Sequence, residues 1–266
     1  MSDRDKEAPS LAAQRFDRFA EAYATSASFA HADELSRLVA LVTPQPAWSV
    51  LDAATGAGHT ALAFAPHVAR VVATDVSPAM LEQGRRLAAE RGLLNVVFAE
   101  ADAEALPYAD GSFDLVTCRI APHHFARPAR FLADARRVLT RAGRLLVQDH
   151  VLPEDRATAR EIDAFERLRD PSHIRAFAQS EWAAMLAEAG FRLTHAEGVL
   201  KRHSFAEWTS RQGCGAETVD RLVALMRGGS DGLRAWMQPR EWGTDRASFC
   251  DHHIVLLCDT SGPAPG

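Results

Sequence analysis

The sequence predicts an α/β fold, a parallel sheet with helices on both faces. Two observations carry this expectation. Between Trp48 and Asp149, short and nearly all-apolar segments alternate with helical ones, the pattern of strands covered on both sides. Within that stretch, V-L-D-A-A-T-G-A-G-H-T at 50–60 sets a strand, an acid, a glycine turn and a helix in succession. Gly56 and Gly58 permit a tight turn with backbone close to a ligand, where a Cβ would collide. The helix expected over Ala61 to Val68 faces the turn with its open N–H groups and positive dipole end. Such an arrangement suits a nucleotide.

The 266 residues are enough for one large α/β domain with additions, or for two small domains. With 47% hydrophobic and 24% charged residues and a net charge of −5, the composition is that of an ordinary soluble globular protein. It lacks the basic footprint of a nucleic-acid binder. No apolar run approaches the roughly 20 residues of a membrane helix. The polar start M-S-D-R-D-K-E-A-P-S does not resemble a signal peptide. Cys118, Cys214, Cys250 and Cys258 lie far apart with no C-x-x-C pair, so reduced thiols and a cytoplasmic location are expected.

The elements follow in order. Residues 1–10 are expected to be disordered. Leu11 to Val42 is helical in pattern, with Phe16, Phe19, Ala20 and Tyr23 on one face. A second helix is expected from His31 to Leu41, ended by Pro44 and Pro46. Strands are expected at Trp48–Asp52 and Arg70–Asp75. Ser77-Pro78 starts a helix, with Ser as cap and Pro at the first position, and Gly92 fits the left-handed residue beyond its end. Asn95–Ala99 and Phe113–Cys118 are the third and fourth strands. A helix over Pro128–Leu139 is closed by Arg141-Ala142-Gly143, and Arg144–Asp149 is the fifth strand. After His150 the pattern changes. Glu154–Arg169 is a charged helix broken at Asp170-Pro171-Ser172-His173, and Ser180–Ala189 is a helix stopped by Gly190. Phe191–Val199 is the sixth strand, Ser204–Met237 is mostly helical, and Phe249–Asp259 is the last strand.

The glycine turn alone does not name the nucleotide. G-A-G-H-T-A at 56–61 satisfies the dinucleotide fingerprint, and Asp75 suits a ribose-binding acid in either a nicotinamide or an S-adenosylmethionine site. Asp52 discriminates, because a carboxylate at the strand end repels a diphosphate and attracts the ammonium of a methionine moiety. Asp102, after the third strand, is placed to accept a hydrogen bond from an adenine amino group. An NAD-dependent oxidoreductase is the alternative, but Tyr23 and Tyr108 form no Y-x-x-x-K pair. A non-catalytic binding protein of the same fold is a second alternative, and the intact acids and glycines argue against it.

Five stretches resemble the class I S-adenosylmethionine-dependent methyltransferases, close to the ubiquinone/menaquinone-biosynthesis-type small-molecule enzymes. They are V-L-D-A-A-T-G-A-G at 50–58, A-T-D-V-S-P-A-M-L at 73–81, A-D-A-E-A-L-P-Y at 101–108, F-D-L-V-T-C-R at 113–119 and R-V-L-T-R-A-G-R-L-L-V at 137–147. The resemblance implies a Rossmann-like, seven-stranded, mostly parallel sheet with an antiparallel last strand, N-terminal helices and a helical lid insert. It implies S-adenosyl-L-methionine as cofactor and S-adenosyl-L-homocysteine as product. By position, Asp52 and the loop Ala53, Ala54, Thr55, Gly56 and Gly58 would hold the methionine part, and Asp75 the ribose hydroxyls. Val76 and Met80 would flank the adenine, Asp102 and Ala103 would contact its edge, and Arg119 would offer backbone to the amino-acid end. Tyr23 resembles the aromatic with which relatives cover the cofactor, a core tyrosine being the alternative. Many relatives carry glycine where Ala54 sits.

Ligands of an open parallel sheet bind off the carboxyl ends of its strands. His123 and His124, after the fourth strand, are the catalytic candidates, since a neutral imidazole can take a proton from an acceptor hydroxyl. The alternative is that one caps the helix near Pro128 while the other packs. His124 is favoured as the site-lining residue because related sequences carry H-H-F. His150, His173 and Arg175 are candidate acceptor contacts, the last two on the expected lid. A metal held by His123, His124, Asp149 and His150 would need matched spacing and outer hydrogen-bond partners that are not evident, so no metal is expected. His252 and His253 are expected at the surface, and Trp182, Trp208, Trp236, Trp242 and Phe205 mostly in the core. The chain then divides into a helical cap at 1–45, a cofactor-binding core at 46–150, a helical lid at 151–190 and a part at 191–266 that completes the sheet of a single domain. The expected activity is methyl transfer to a small-molecule acceptor, at oxygen, carbon or nitrogen, with no nucleic-acid partner and no membrane span. Monomer and homodimer both stay open.

Overall fold

A computed structural model describes residues 11–24 and 32–260, except the side chains of Ala22 and Tyr23. The N-terminal segment expected to be disordered and the covering role of Tyr23 therefore lie outside the described residues. Two helices, α1 (Leu11–Ala24) and α2 (Ala32–Val42), lead into β1 (Ser49–Ala53), α3 (His59–Phe64), β2 (Arg70–Asp75), α4 (Pro78–Glu90) and β3 (Val96–Glu100). Then come β4 (Phe113–Arg119), α5 (Pro128–Val138), β5 (Leu139–Leu152), α6 (Arg156–Arg169), β6 (Phe177–Ala178) and α7 (Gln179–Glu188). The chain closes with β7 (Phe191–Ser204), α8 (Phe205–Arg211), α9 (Ala216–Gly228), α10 (Asp231–Met237) and β8 (Ser248–Thr260).

The main sheet runs β3-β2-β1-β4-β5-β8-β7, with the two-residue β6 beside β5. Strands β1 to β5 pair in parallel. β8 lies antiparallel between β5 and β7. The seven-stranded, mostly parallel sheet is thus present, with β6 as a short addition. Three boundaries differ most from expectation. The turn-like Arg141-Ala142-Gly143 stays inside β5, because a register shift between Phe113 and Leu115 absorbs it. β7 continues to Ser204, its exposure alternating along the strand. α3 has six residues, starts at His59 and gives way to a 3₁₀ turn at Ala65–His67.

Each face of the sheet carries helices. α5 and α7 press Phe131, Leu132, Trp182 and Leu186 against Leu51, Val116, Leu145 and Val147. On the other face α2 and α3 bring Leu38, Val42, Ala61 and Phe64 onto Val50, Val71, Leu115 and Leu146. Burying each large apolar side chain is worth about 1.5–3 kcal/mol, so these layers fix the strand ends that carry the site. A further core joins α6 to α8, α9 and α10 through Ile162, Phe165, Trp208, Leu222, Met226 and Leu233. Phe165 stacks on Trp208 at 5.2 Å between ring centroids. The charged helix after β5 and the helices before β8 therefore form one cap, although more than thirty residues separate them in sequence. Among the described residues no helix is long and apolar enough to cross a membrane. All four cysteines are free.

Ala54 has φ +51°, a left-handed conformation that costs a residue with a Cβ about 1–2 kcal/mol. Glycine would remove that cost and lose part of the gain to unfolded-state entropy. Ala54→Gly is expected to raise the free energy of unfolding by about 0.5–1 kcal/mol in urea denaturation.

Candidate functional site

The turn after β1 is built around Asp52, which is 1% exposed. Its Oδ1 accepts from Thr117 Oγ1 on β4 at 2.6 Å, and its Oδ2 accepts from the Ala61 N–H at 3.1 Å and from the Thr55 hydroxyl. This corrects the expected geometry. The carboxylate points into the protein and takes the Ala61 N–H in the first turn of α3, so it does not lie open toward a ligand. Burial pushes the Asp52 carboxyl up, opposed by the Thr117 and Thr55 hydroxyls. Gly56 and Gly58 have φ +56° and +85°. A Cβ on Gly58 would meet Phe98 Cε1 at 3.0 Å, whereas Gly56 has open space where its Cβ would be.

Asp75 ends β2 and is also buried. Its Oδ2 accepts from the Gly56 N–H at 2.8 Å and its Oδ1 from the Ser77 N–H at 2.9 Å, so the glycine turn is tied to the end of the next strand. Burial raises the Asp75 carboxyl, opposed by those N–H groups. Met80 is buried on α4, where it packs with Ala20 and Ala24 of α1 and with Ala57 of the turn. Val76, just past β2, is half-buried. Asp102 is exposed past β3, with Oδ1 accepting from the Glu104 N–H at 2.8 Å. Ala53 and Ala103 are buried in the core under α5. Arg119 turns its side chain inward, its Nε donating to Thr60 Oγ1 at 3.0 Å and its Nη1 3.7 Å from Glu34.

A second constellation lies off the ends of β4 and β5. Ile120, just past β4, has φ +54° and leads into a 3₁₀ turn at Pro122–His124. Asp149, fully buried near the end of β5, holds His123 twice. Oδ2 accepts from the His123 N–H at 2.9 Å and Oδ1 is 2.6 Å from Nδ1. With Asp149 ionised, that bond places the proton on Nδ1 and leaves Nε2 as the acceptor nitrogen. His124 donates from Nδ1 to the Ser172 carbonyl at 2.9 Å, and its ring meets Phe16 edge-on at 5.1 Å. Neither histidine caps α5, whose N-cap is Arg127. The two line a cleft of about 570 Å³ together with His150, His203, His253 and Asp251.

Charge in this cleft is shaped by burial. Burial, with the neighbouring histidines, keeps His123 well below the usual imidazole range. Burial also lowers His124 and His253, each to about 4. Burial raises the Asp149 carboxyl to about 7, against the pull of His150. His150 behaves oppositely. Burial lowers it, but Asp251, with Oδ1 3.1 Å from Nδ1, outweighs that and lifts it to about 9.

Two expectations are overturned here. His253 is 3% exposed and His252 half-buried, because both lie inside β8, a central strand. Arg175 faces neither cavity. It stands over the Phe177 ring at 4.8 Å and pairs with Glu181 of α7. His173 is buried, with Nε2 2.8 Å from Asp163 Oδ1, and lines a smaller cavity of about 310 Å³ beside Glu166. Asp251, His203 and Lys201 escaped notice in the sequence. The spacing of Asp251 and His253 at i, i+2 puts both on one face of a strand, which was the only signal available.

Asp52 and Asp102 make opposite predictions. Asp52→Asn leaves at least one buried donor without an acceptor, so unfolding free energy should fall by about 2–3 kcal/mol in urea. Asp102→Asn, at an exposed position, should change it by less than about 0.5 kcal/mol.

Residues 51–147 match the family model described as a methyltransferase domain. The chain is 35% identical over 219 residues to the uncharacterized methyltransferase YcgJ of Bacillus subtilis, covering 82% of this chain and 87% of that one. The crystal structure of YcgJ protein superposes with a TM-score of 0.84 at 32% identity, covering 88% of this chain and 100% of that chain. A demethylmenaquinone methyltransferase of Thermus thermophilus is 42% identical over 119 residues, 44% of this chain and 54% of its own. A geranyl diphosphate methyltransferase solved in complex with SAM shares the fold, with a TM-score of 0.59 at 15% identity over 86% of this chain and 84% of that chain. By sequence and by fold, this chain belongs to the methyltransferase-domain family of class I methyltransferases.

Proposed function

We propose that this chain transfers a methyl group from S-adenosyl-L-methionine to a small-molecule acceptor, at oxygen, carbon or nitrogen. The observation that carries the reading is a crescent of three carboxylates, Asp52, Asp75 and Asp102, at the ends of adjacent strands β1, β2 and β3 around a left-handed turn. Three acids repel a diphosphate and suit a cationic adenosine derivative.

The residues fit such a cofactor. Asp75 accepts from the Gly56, Ser77 and Val76 N–H groups, and the four lone-pair sites of a carboxylate leave room for a ribose hydroxyl. Gly56 leaves open space beside the turn for the methionine part. Asp52 contributes through shape and field rather than direct contact, since its oxygens already hold Thr117, Thr55 and Ala61. Asp102, exposed past β3, is free to meet an adenine amino group. When bound, S-adenosylmethionine supplies an electrophilic methyl on a sulfonium and leaves as neutral S-adenosylhomocysteine.

Because that leaving group is neutral, the protein's task on the acceptor side is alignment and proton removal. His123 is the better base of the two candidates. Asp149 fixes its ring and, when ionised, holds the proton on Nδ1, so that Nε2 is the nitrogen left to take the acceptor's proton. His124, held by Ser172 and Phe16, and His150 shape the cleft wall. The ends of β1, β2 and β3, with α1 packed on the glycine turn, form the donor side. The 151–190 segment covers the acceptor side together with α8 to α10.

Calorimetric titration with S-adenosylmethionine should show saturable binding, weakened about 10- to 100-fold by Asp75→Ala through loss of charged hydrogen bonds. No saturable binding at high micromolar ligand would overturn the reading. Release of S-adenosylhomocysteine should then be followed across phenols, quinols and carboxylic acids. With a competent acceptor, His123→Asn should lower kcat about 10²- to 10⁴-fold and leave cofactor affinity unchanged. An unchanged kcat would move the proton-accepting role away from His123.

A further inference from the structure

The antiparallel seating of β8 against β5 places His150 directly opposite His253. Their ring centroids are 4.6 Å apart. Asp251 precedes His253 by two residues on the same strand and therefore shares its face. The carboxylate sits between the two rings, with Oδ1 3.1 Å from His150 Nδ1 and Oδ2 2.9 Å from His253 Nε2. One nitrogen or oxygen from each of the three residues lies within 4.8 Å of the others.

We propose that His150, Asp251 and His253 form a binding site for a divalent first-row transition-metal ion, with its remaining coordination positions toward the acceptor cleft. Nitrogen and oxygen ligands stand about 2.0–2.2 Å from such an ion, which at tetrahedral or octahedral angles puts them roughly 3.0–3.5 Å from each other. The two measured contacts, one on each oxygen of Asp251, lie close to that spacing and all three ligand atoms lie within 4.8 Å, so side-chain shifts that draw the two imidazoles together would admit an ion. Two imidazoles and one carboxylate are the ligand set of zinc, iron, cobalt or nickel rather than of calcium or magnesium.

Access favours this triad over its neighbour. His150 and Asp251 line both the 570 Å³ cleft and the 310 Å³ cavity behind it, and His253 lines the cleft. The other grouping of this kind, His123, Asp149 and His150, commits both Asp149 oxygens to the backbone and ring of His123. Asp149 also lines neither cavity. The groups facing the proposed ion from other strands are His203, with Nε2 3.7 Å from Asp251 Oδ2, and Lys201, whose ammonium is held by Glu34 at 2.8 Å.

The test uses the full chain stripped of metal with a chelator, without cofactor or acceptor, so its outcome is independent of the methyl-transfer reading. Zinc titrated by calorimetry should bind one equivalent saturably, and cobalt should give the visible ligand-field absorption of an ion held by nitrogen and oxygen. X-ray absorption on the zinc-loaded wild type should show two imidazoles in the coordination shell. Asp251→Asn and His253→Gln should each weaken zinc binding at least tenfold, while His123→Asn should leave it within about twofold. Far-UV circular dichroism reports whether each variant folds, and the wild-type absorption spectrum decides the matter if one does not. The proposal is overturned by absence of saturable binding, by a shell without imidazole, by affinity that survives in both folded variants, or by equal loss in His123→Asn.

Discussion

The carboxylate of Asp52 is the joint on which the donor half of the molecule depends. It sits in register with Thr117 across the β1–β4 pair and accepts that residue's hydroxyl at 2.6 Å. It also holds Thr55 in the turn and the Ala61 N–H in α3. Two strands, a turn and a helix are therefore fastened by one buried acid. Such a group is tolerated in a dry interior only when its oxygens are satisfied. The three left-handed residues Ala54, Gly56 and Gly58 follow from this anchoring, since the chain must curl around the carboxylate before it enters α3. Asp75 repeats the device one strand away by accepting from Gly56, which ties the turn to β2.

Strain on the acceptor side is maintained by similar bonds. Ile120 is β-branched and yet left-handed, a conformation that costs about 1–3 kcal/mol. Its N–H donates to the Gln148 carbonyl at 2.7 Å, which continues the β4–β5 ladder one residue past the strand. The kink swings His123 over Asp149, where two hydrogen bonds offset the strain. The loop after α6 then docks on the same residue, as Ile174 and Arg175 both donate backbone N–H groups to the His123 carbonyl. His123 is consequently fixed at its backbone and at its ring, the condition for a positioned base.

How much was legible in the sequence follows from how far apart the partners lie. Asp52, Gly56, Gly58, Asp75 and Asp102 occupy one stretch of about fifty residues, and their strands are short apolar runs with clear ends. The cleft depends on partners about a hundred residues apart, such as His150 and Asp251, separated by 101 positions. Nothing local reports that pairing. The run Asp251-His252-His253 looks polar and therefore superficial, yet β8 inserts between β5 and β7 and is covered on both faces. Arg141-Ala142-Gly143 misled in the opposite sense, because turn-like composition can be carried inside a strand when a bulge takes up the extra residues. The start of α3 hides a third kind of signal. Its Ala61 N–H is satisfied from within by Asp52, and that depends on the orientation of one side chain.

The two halves meet along α1, and three successive residues show how. A helix turns about 100° per residue, so neighbours in sequence point to different sides. Arg15 reaches the cap, with Nε 3.1 Å from Asp170 and Nη2 donating to Gln212 at 2.8 Å. Phe16 packs edge-on against His124 in the cleft. Asp17 turns to the donor side, where it accepts from the Ser77 hydroxyl at 2.6 Å and the Ala79 N–H at 3.2 Å at the start of α4. Ala20 and Ala24 meanwhile pack on Ala57 and Met80 beside the glycine turn. One helix thus covers the turn, a wall of the histidine cleft and the edge of the cap. A substitution that loosened it would expose both halves together, because this one helix touches the glycine turn, the cleft and the cap.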